Sequence, residues 1–158
     1  MEILHLLLSQ PGVEIEPRMF KGCKKMREIS IPNTIKTIGD GAFYECSSLK
    51  KLFIPSSVTS IGSDAFAKCT SLTQVTLSSS VSVIKPNTFG ECTSLVNISI
   101  PSSVTLIETF AFYGCSSLKK IIIPSSVKEI KDDAFDGCSS LQQITIPNSV
   151  KFKNLGIG

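Results

Sequence analysis

Cysteine is the residue type in this chain best able to do chemistry, and its spacing is regular. The six cysteines fall at Cys23, Cys46, Cys69, Cys92, Cys115 and Cys138, one every 23 residues without an insertion. A metal site would want ligands a few residues apart, as in C-x-x-C, or histidine partners. No C-x-x-C pair occurs, and the sole histidine is His5. Disulfides are the other use for six cysteines in a short chain. If the repeating units stack about 5 Å apart, as strands of a sheet do, neighbouring Cα atoms fall within disulfide range. The Cβ vectors of one structural column would nevertheless run parallel and not face each other. The thiols are therefore expected to be reduced and buried, acting as small apolar side chains.

Other chemistry is equally thin. No fixed carboxylate pair stands where acid–base catalysis would need one. The sequence contains no glycine-rich phosphate loop and no nucleophile elbow. No enzyme activity, catalytic residue, metal or cofactor is expected. The net charge is +3 with 18% charged residues, too mild to argue for nucleic acid. The one dense basic run, Arg18, Lys21, Lys24, Lys25 and Arg27, reads as a solvated turn. A nucleic-acid surface would require base-stacking aromatics beside it. No apolar run approaches the roughly 18–20 residues of a transmembrane helix, so membrane insertion is not expected either.

The elements that carry these residues follow from the period. Phenylalanine keeps the cysteine step at Phe20, Phe43, Phe66, Phe89, Phe112 and Phe135. A fixed period in the 20–50 residue range means stacked supersecondary units. Residues 1–151 read as one solenoid of 23-residue units, six full units and a terminal strand, and 152–158 as a C-terminal tail. Each unit holds L-x-x-L-x-I, whose apolar–polar alternation marks a half-buried strand. Seven strands are placed, at Leu6–Leu8, Ile29–Ile31, Leu52–Ile54, Val75–Leu77, Ile98–Ile100, Ile121–Ile123 and Ile144–Ile146. Equal orientation in every unit makes their sheet parallel.

Proline follows at Pro32, Pro55, Pro101, Pro124 and Pro147, with Ser78 as the exception. Lacking an N–H, proline ends ladder pairing and turns the chain out of the sheet. A valine or isoleucine column (Val58 and its equivalents) and an isoleucine column (Ile61 and its equivalents) then lead to Ala-Phe. This return leg is expected to be irregular with one 3₁₀ or α turn, because Asp, Ser and Pro before the phenylalanine suit a helix start. The serine and threonine columns read as satisfiers of turn backbone.

Function is left to the residues that vary. With Leu52 and Ile54 pointing inward, Lys51 and Phe53 point out. One outward column is His5, Glu28, Lys51, Gln74, Asn97, Lys120 and Gln143; the other is Leu7, Ser30, Phe53, Thr76, Ser99, Ile122 and Thr145. The candidate protein-binding residues are Lys51, Phe53, Gln74, Thr76, Asn97, Ser99, Lys120 and Ile122. Phe53 and Ile122 are apolar where small polar residues would suffice, and they make two separate anchors. Asn97-Ile98-Ser99 is also an N-glycosylation sequon on this face. Phe110, Tyr113 and Tyr44 belong to the opposite side and read as local packing.

The ends break the pattern. Met1 to Leu8 carries Glu2 where a signal peptide would carry a cation, and falls into register with the repeat. It reads as the first strand, which places the chain inside the cell by default. Lys153 stands where other units have isoleucine, and the last residues read as a frayed or makeshift cap. Exposed end strands favour association, so either homo-oligomers through the solenoid ends are expected, or the chain is a segment of a longer array.

The unit C-x-x-L-x-x-I-x-I-P-x-S-V-x-x-I-x-x-x-A-F resembles the leucine-rich repeats of the BspA-type family, over residues 1 to about 151. The resemblance implies an α/β-type repeat solenoid, a right-handed superhelix with a concave parallel sheet and short helical turns on its convex side. It implies protein–protein recognition, as an adhesin at a cell surface or as a scaffold. Lys24-Lys25 in place of the Ser/Thr pair and Ser78 in place of proline depart from the pattern.

Overall fold

A computed structural model describes residues 14–158. The expected strand Leu6–Leu8 and the outward residues His5 and Leu7 lie outside the described residues. One parallel sheet runs through the rest. Its strands are β2 (Lys51–Phe53), β4 (Gln74–Thr76), β6 (Asn97–Ser99), β8 (Lys120–Ile122) and β10 (Gln143–Thr145). They lie side by side in chain order, each joined to its equivalent one repeat later, as in Lys51↔Gln74 and Gln74↔Asn97. The middle residue of each strand faces the core and its two neighbours face out.

The ladder starts one residue earlier than the apolar alternation suggests, because hydrogen bonding follows the backbone and not the inward side chains. Ile29–Ile31 forms no strand. That coil contributes one backbone bond, Lys50 N–H to the Arg27 carbonyl, before leaving the ladder. Its side chains still pack: Ile31 is buried and Ile29 leans on the core.

The return leg differs from expectation. No helical turn forms among the described residues. The isoleucine column instead sits on a second set of two-residue parallel strands. These are β1 (Thr37–Ile38), β3 (Ser60–Ile61), β5 (Val83–Ile84), β7 (Leu106–Ile107) and β9 (Glu129–Ile130). Past them the amides alternate in their use. The N–H groups of Asp64, Phe66 and Lys68 donate to Pro86, Thr88 and Gly90 of the next coil, while those of Ala65, Ala67 and Cys69 donate three residues back. Two left-handed positions per coil produce this. One column holds Arg18, Gly41, Asp64, Asn87, Phe110 and Asp133, with φ between 56° and 61°; the other holds Gly22, Glu45, Lys68, Glu91, Gly114 and Gly137, with φ between 56° and 77°. A left-handed residue interrupts a helix, and here it aims alternate amides sideways at the stacked neighbour. The aspartates taken for helix caps, Asp64 and Asp133, are themselves left-handed.

The core is the stack of inward columns. In one coil Leu52, Ile54, Val58, Ile61, Phe66, Cys69 and Leu72 are all buried. The phenylalanine rings stack with centroids 5.2–5.7 Å apart from Phe20 to Phe135. Ser78, in the proline position, is buried too; its hydroxyl donates to the Val58 carbonyl at 2.6 Å and accepts the Ser80 N–H. A polar side chain thus shapes the corner that proline shapes elsewhere.

The C-terminal residues keep to the coil with a slipped register. Ile130 donates to the Lys151 carbonyl, Asp133 to that of Asn154 and Phe135 to that of Leu155. Leu155 packs on the core, and Asn154 Nδ2 donates to Asp133 Oδ1 at 2.9 Å. The slip lets Lys153, which stands where isoleucine is expected, stay exposed.

Candidate protein-binding face

Strand geometry brings the eight candidate residues onto one surface. Lys51, Gln74, Asn97 and Lys120 are register partners in one exposed row, and Phe53, Thr76, Ser99 and Ile122 form the second. Gln143 and Thr145 extend the two rows on β10. Phe53 is 63% exposed and Ile122 is 53% exposed, the two most exposed large apolar side chains among the described residues. They occupy one row, three strands apart, with Thr76 and Ser99 between them. Beside Ile122 lies a shallow groove of about 350 Å³, lined by Asn97, Ser99, Ile100, Lys120 and Pro124. None of the described acidic residues lies on any strand of this sheet; Glu28, in the irregular coil before β2, is its nearest acid in the row.

The cysteines occupy the interior. Cys46, Cys69, Cys92, Cys115 and Cys138 are buried, and Cys23 is half-buried. Each buried thiol donates to the carbonyl of a phenylalanine in the coil before it, as from Cys46 Sγ to Phe20 O at 3.1 Å and from Cys115 Sγ to Phe89 O at 3.1 Å. The sulfur therefore works as a hydrogen-bond donor as well as a small apolar group. Burial pushes the Cys46 thiol up to about 11 and the Cys138 thiol up to about 12. It also raises Cys69, Cys92 and Cys115. Thiolates, which nucleophilic or metal chemistry requires, are thus disfavoured in the column. No group of three metal-ligating side chains is found among the described residues.

Sequence reasoning missed one contact on the far side. The Tyr44 ring lies between the Lys21 ammonium at 5.4 Å and the Lys68 ammonium at 5.5 Å, a cation–π pair. The signal was available, since Lys21 and Tyr44 stand one repeat apart and so share a column. Phe110 meets Tyr113 edge-on at 5.5 Å. No helix of the described residues is long and apolar enough to cross a membrane.

The same repeat pattern is found in known proteins. A profile described as "BspA type Leucine rich repeat region" matches six copies over residues 13–142. No curated protein matches the chain. Among solved structures, a leucine-rich repeat protein of Treponema pallidum is similar at 34% identity with a TM-score of 0.87, covering 91% of this chain and 68% of its own. A leucine-rich cell surface protein of Faecalibacterium prausnitzii is similar at 38% identity with a TM-score of 0.74, over 76% of this chain. A leucine-rich repeat protein of Bacteroides ovatus is similar at 36% identity with a TM-score of 0.71, over 75% of this chain. The chain spans 32% of the length of the Faecalibacterium protein and 30% of the Bacteroides one.

Proposed function

The chain belongs to the BspA-type leucine-rich repeat family, and from that premise we propose that it is a non-enzymatic module binding a protein partner through the exposed face of β2–β10. The observation that carries this reading is the pair of exposed anchors, Phe53 and Ile122, set in one row of an otherwise small and polar surface. Constant residues of the repeat go into the core, where they specify the fold. Variable residues go to this face, as expected of a solenoid that binds along its sheet. The Faecalibacterium relative is described as a cell surface protein. By that likeness, adhesion at a surface is the setting we favour over an intracellular scaffold. Measuring partner binding with Phe53→Ser and Ile122→Ser chains tests the reading. Loss of at least about tenfold in affinity, with unchanged solution mass and circular dichroism, is the expected result; undiminished binding would reject it.

A second reading has its own observation. Strand β10 has one sheet neighbour among the described residues, and Phe152 and Ile157 nearby are exposed. An open strand edge beside apolar side chains suits end-to-end pairing of two copies. Light scattering across a dilution series tests it, with Ile146→Glu expected to lower the mass if the ends pair.

A further inference from the structure

The candidate face carries a duplicated footprint that narrows the partner. Leu49-Lys50-Lys51-Leu52-Phe53-Ile54-Pro55-Ser56-Ser57-Val58 recurs three coils later as Leu118-Lys119-Lys120-Ile121-Ile122-Ile123-Pro124-Ser125-Ser126-Val127. No other described coil has a lysine pair, or a large apolar residue at the Phe53 position: the equivalents are Arg27-Glu28 with Ser30, Thr73-Gln74 with Thr76, Val96-Asn97 with Ser99, and Gln142-Gln143 with Thr145. Lys50, Lys51, Lys119 and Lys120 are all exposed. The described carboxylates, apart from Glu28, sit on the other legs of the coils. The face therefore presents two copies of one feature, an apolar side chain beside a lysine pair, with uncharged side chains between them that are hydrogen-bonding except for Val96.

Resting on the sheet-face reading above, we propose that the ligand of this face is an acidic, extended protein segment with two apolar side chains four residues apart. The geometry selects the spacing. Three strand steps separate the footprints by about 14 Å, and four residues of extended chain cover about 13 Å. Residues four apart in an extended chain point the same way, so both apolar groups reach the sheet at once. A helix puts same-face residues about 10.5 Å apart at seven residues and about 16.5 Å at eleven, which fits less well. Charge selects the composition. Carboxylates two residues from each apolar residue, on the same side of the extended chain, meet Lys50 and Lys51 at one footprint and Lys119 and Lys120 at the other, while Gln74 and Asn97 offer amides to the backbone between. The two anchors argue against a simple polyanion, which would have no use for Phe53 or Ile122.

Fluorescence anisotropy with a labelled peptide of glutamate and threonine, carrying two leucines four residues apart, tests this on the full chain. Binding should weaken at least about tenfold in both the Phe53→Ser/Ile122→Ser chain and the Lys51→Glu/Lys120→Glu chain, and should fall as salt rises. A control peptide with its leucines three apart, which puts them on opposite sides, should bind correspondingly worse. Equal binding of the two peptides, no detectable binding of either, or indifference to the lysine changes would overturn the proposal. So would equal binding by heparin that responds to the lysine changes alone, since the face would then be a polyanion surface. A protein partner that loses affinity with the anchor changes but ignores the lysine changes would keep the sheet-face reading and remove this one. A partner that ignores both would remove the sheet-face reading itself.

Discussion

The ring of Phe43 lies 5.2 Å from the ring of Phe66, with their planes 7° apart. Each phenylalanine is thereby packed between the equivalent residues of the coils above and below, and Phe66 has Phe89 at 5.7 Å on its other side. Phe66→Ala should destabilise the fold by about 3–5 kcal/mol through the cavity it leaves. A solenoid is held by nearest-neighbour contacts, so the break at Phe66 should also split thermal unfolding into two steps. Phe135→Ala, near the C-terminal end, should lower the melting temperature without that split. Calorimetry of the two variants distinguishes the cases.

The left-handed columns make an opposed pair of predictions. Glu91 holds φ at 56°, where Gly114 and Gly137 stand one and two repeats on. An L-residue there costs about 1–2 kcal/mol, and glycine's extra unfolded-state freedom offsets part of the relief. Glu91→Gly should therefore stabilise by about 0.5–1 kcal/mol. Gly137→Ala should destabilise by more than about 1 kcal/mol, because its φ is 77° and an added Cβ would meet the Gly114 backbone at 3.1 Å. Denaturant midpoints with unchanged slopes would check both signs.

Those columns also mark the limit of what the sequence makes legible. The inward residues Leu52, Val75 and Ile98 could be read directly, because each recurs at one fixed step and burial selects one residue type. The return leg could not, since left-handed positions accept Gly41, Asp64, Asn87 and Phe110 alike, and no single residue type labels the column. Two-residue strands such as Ser60–Ile61 are too short to show a period. The thiol donors were hidden for another reason: a buried cysteine reads as apolar until the Phe20 carbonyl is found beside Cys46. On the candidate face the exposure of Lys51 and Phe53 follows from strand alternation, and their alignment with Lys120 and Ile122 follows from the 23-residue period, which the strand register reproduces. The partner is not written in either, because only its complement is present.

Thiol burial gives the fold a pH dependence. In the unfolded chain the cysteines ionise near their ordinary value of 9.0, whereas in the fold burial holds Cys46 at about 11 and Cys138 at about 12. Folding favours the protonated form. The stability this contributes is thus fully present below about pH 9 and is lost as pH climbs through 11 and 12. Melting temperature should be flat around neutrality and fall above pH 9, and replacing Cys69 and Cys92 with alanine should reduce that fall. A thiol reagent at neutral pH should label Cys23, the half-buried one, and reach the other five only in denaturant.

The slipped last coil supplies the final prediction. Leu155 covers the end of the core, and its carbonyl accepts the Phe135 N–H at 2.9 Å. Asn154 ties the same coil to Asp133 through both backbone and side chain. Leu155→Asp would place a charge against the buried core cluster and should detach residues 152–158. The cost should be about 1–2 kcal/mol, the loss of one half-buried leucine, and should fall on the terminal coils alone. Asn154→Ala removes two exposed side-chain bonds, to Asp133 Oδ1 and from the Gly156 N–H, and should cost about 1 kcal/mol. Amide hydrogen exchange reads the difference: Asp133 and Phe135 should lose protection in the Leu155 variant while Asp64 and Phe66, in the middle of the stack, keep theirs. Equal loss of protection along the whole stack would show instead that the coils unfold as one unit, and that the terminal coil is no weaker than the rest.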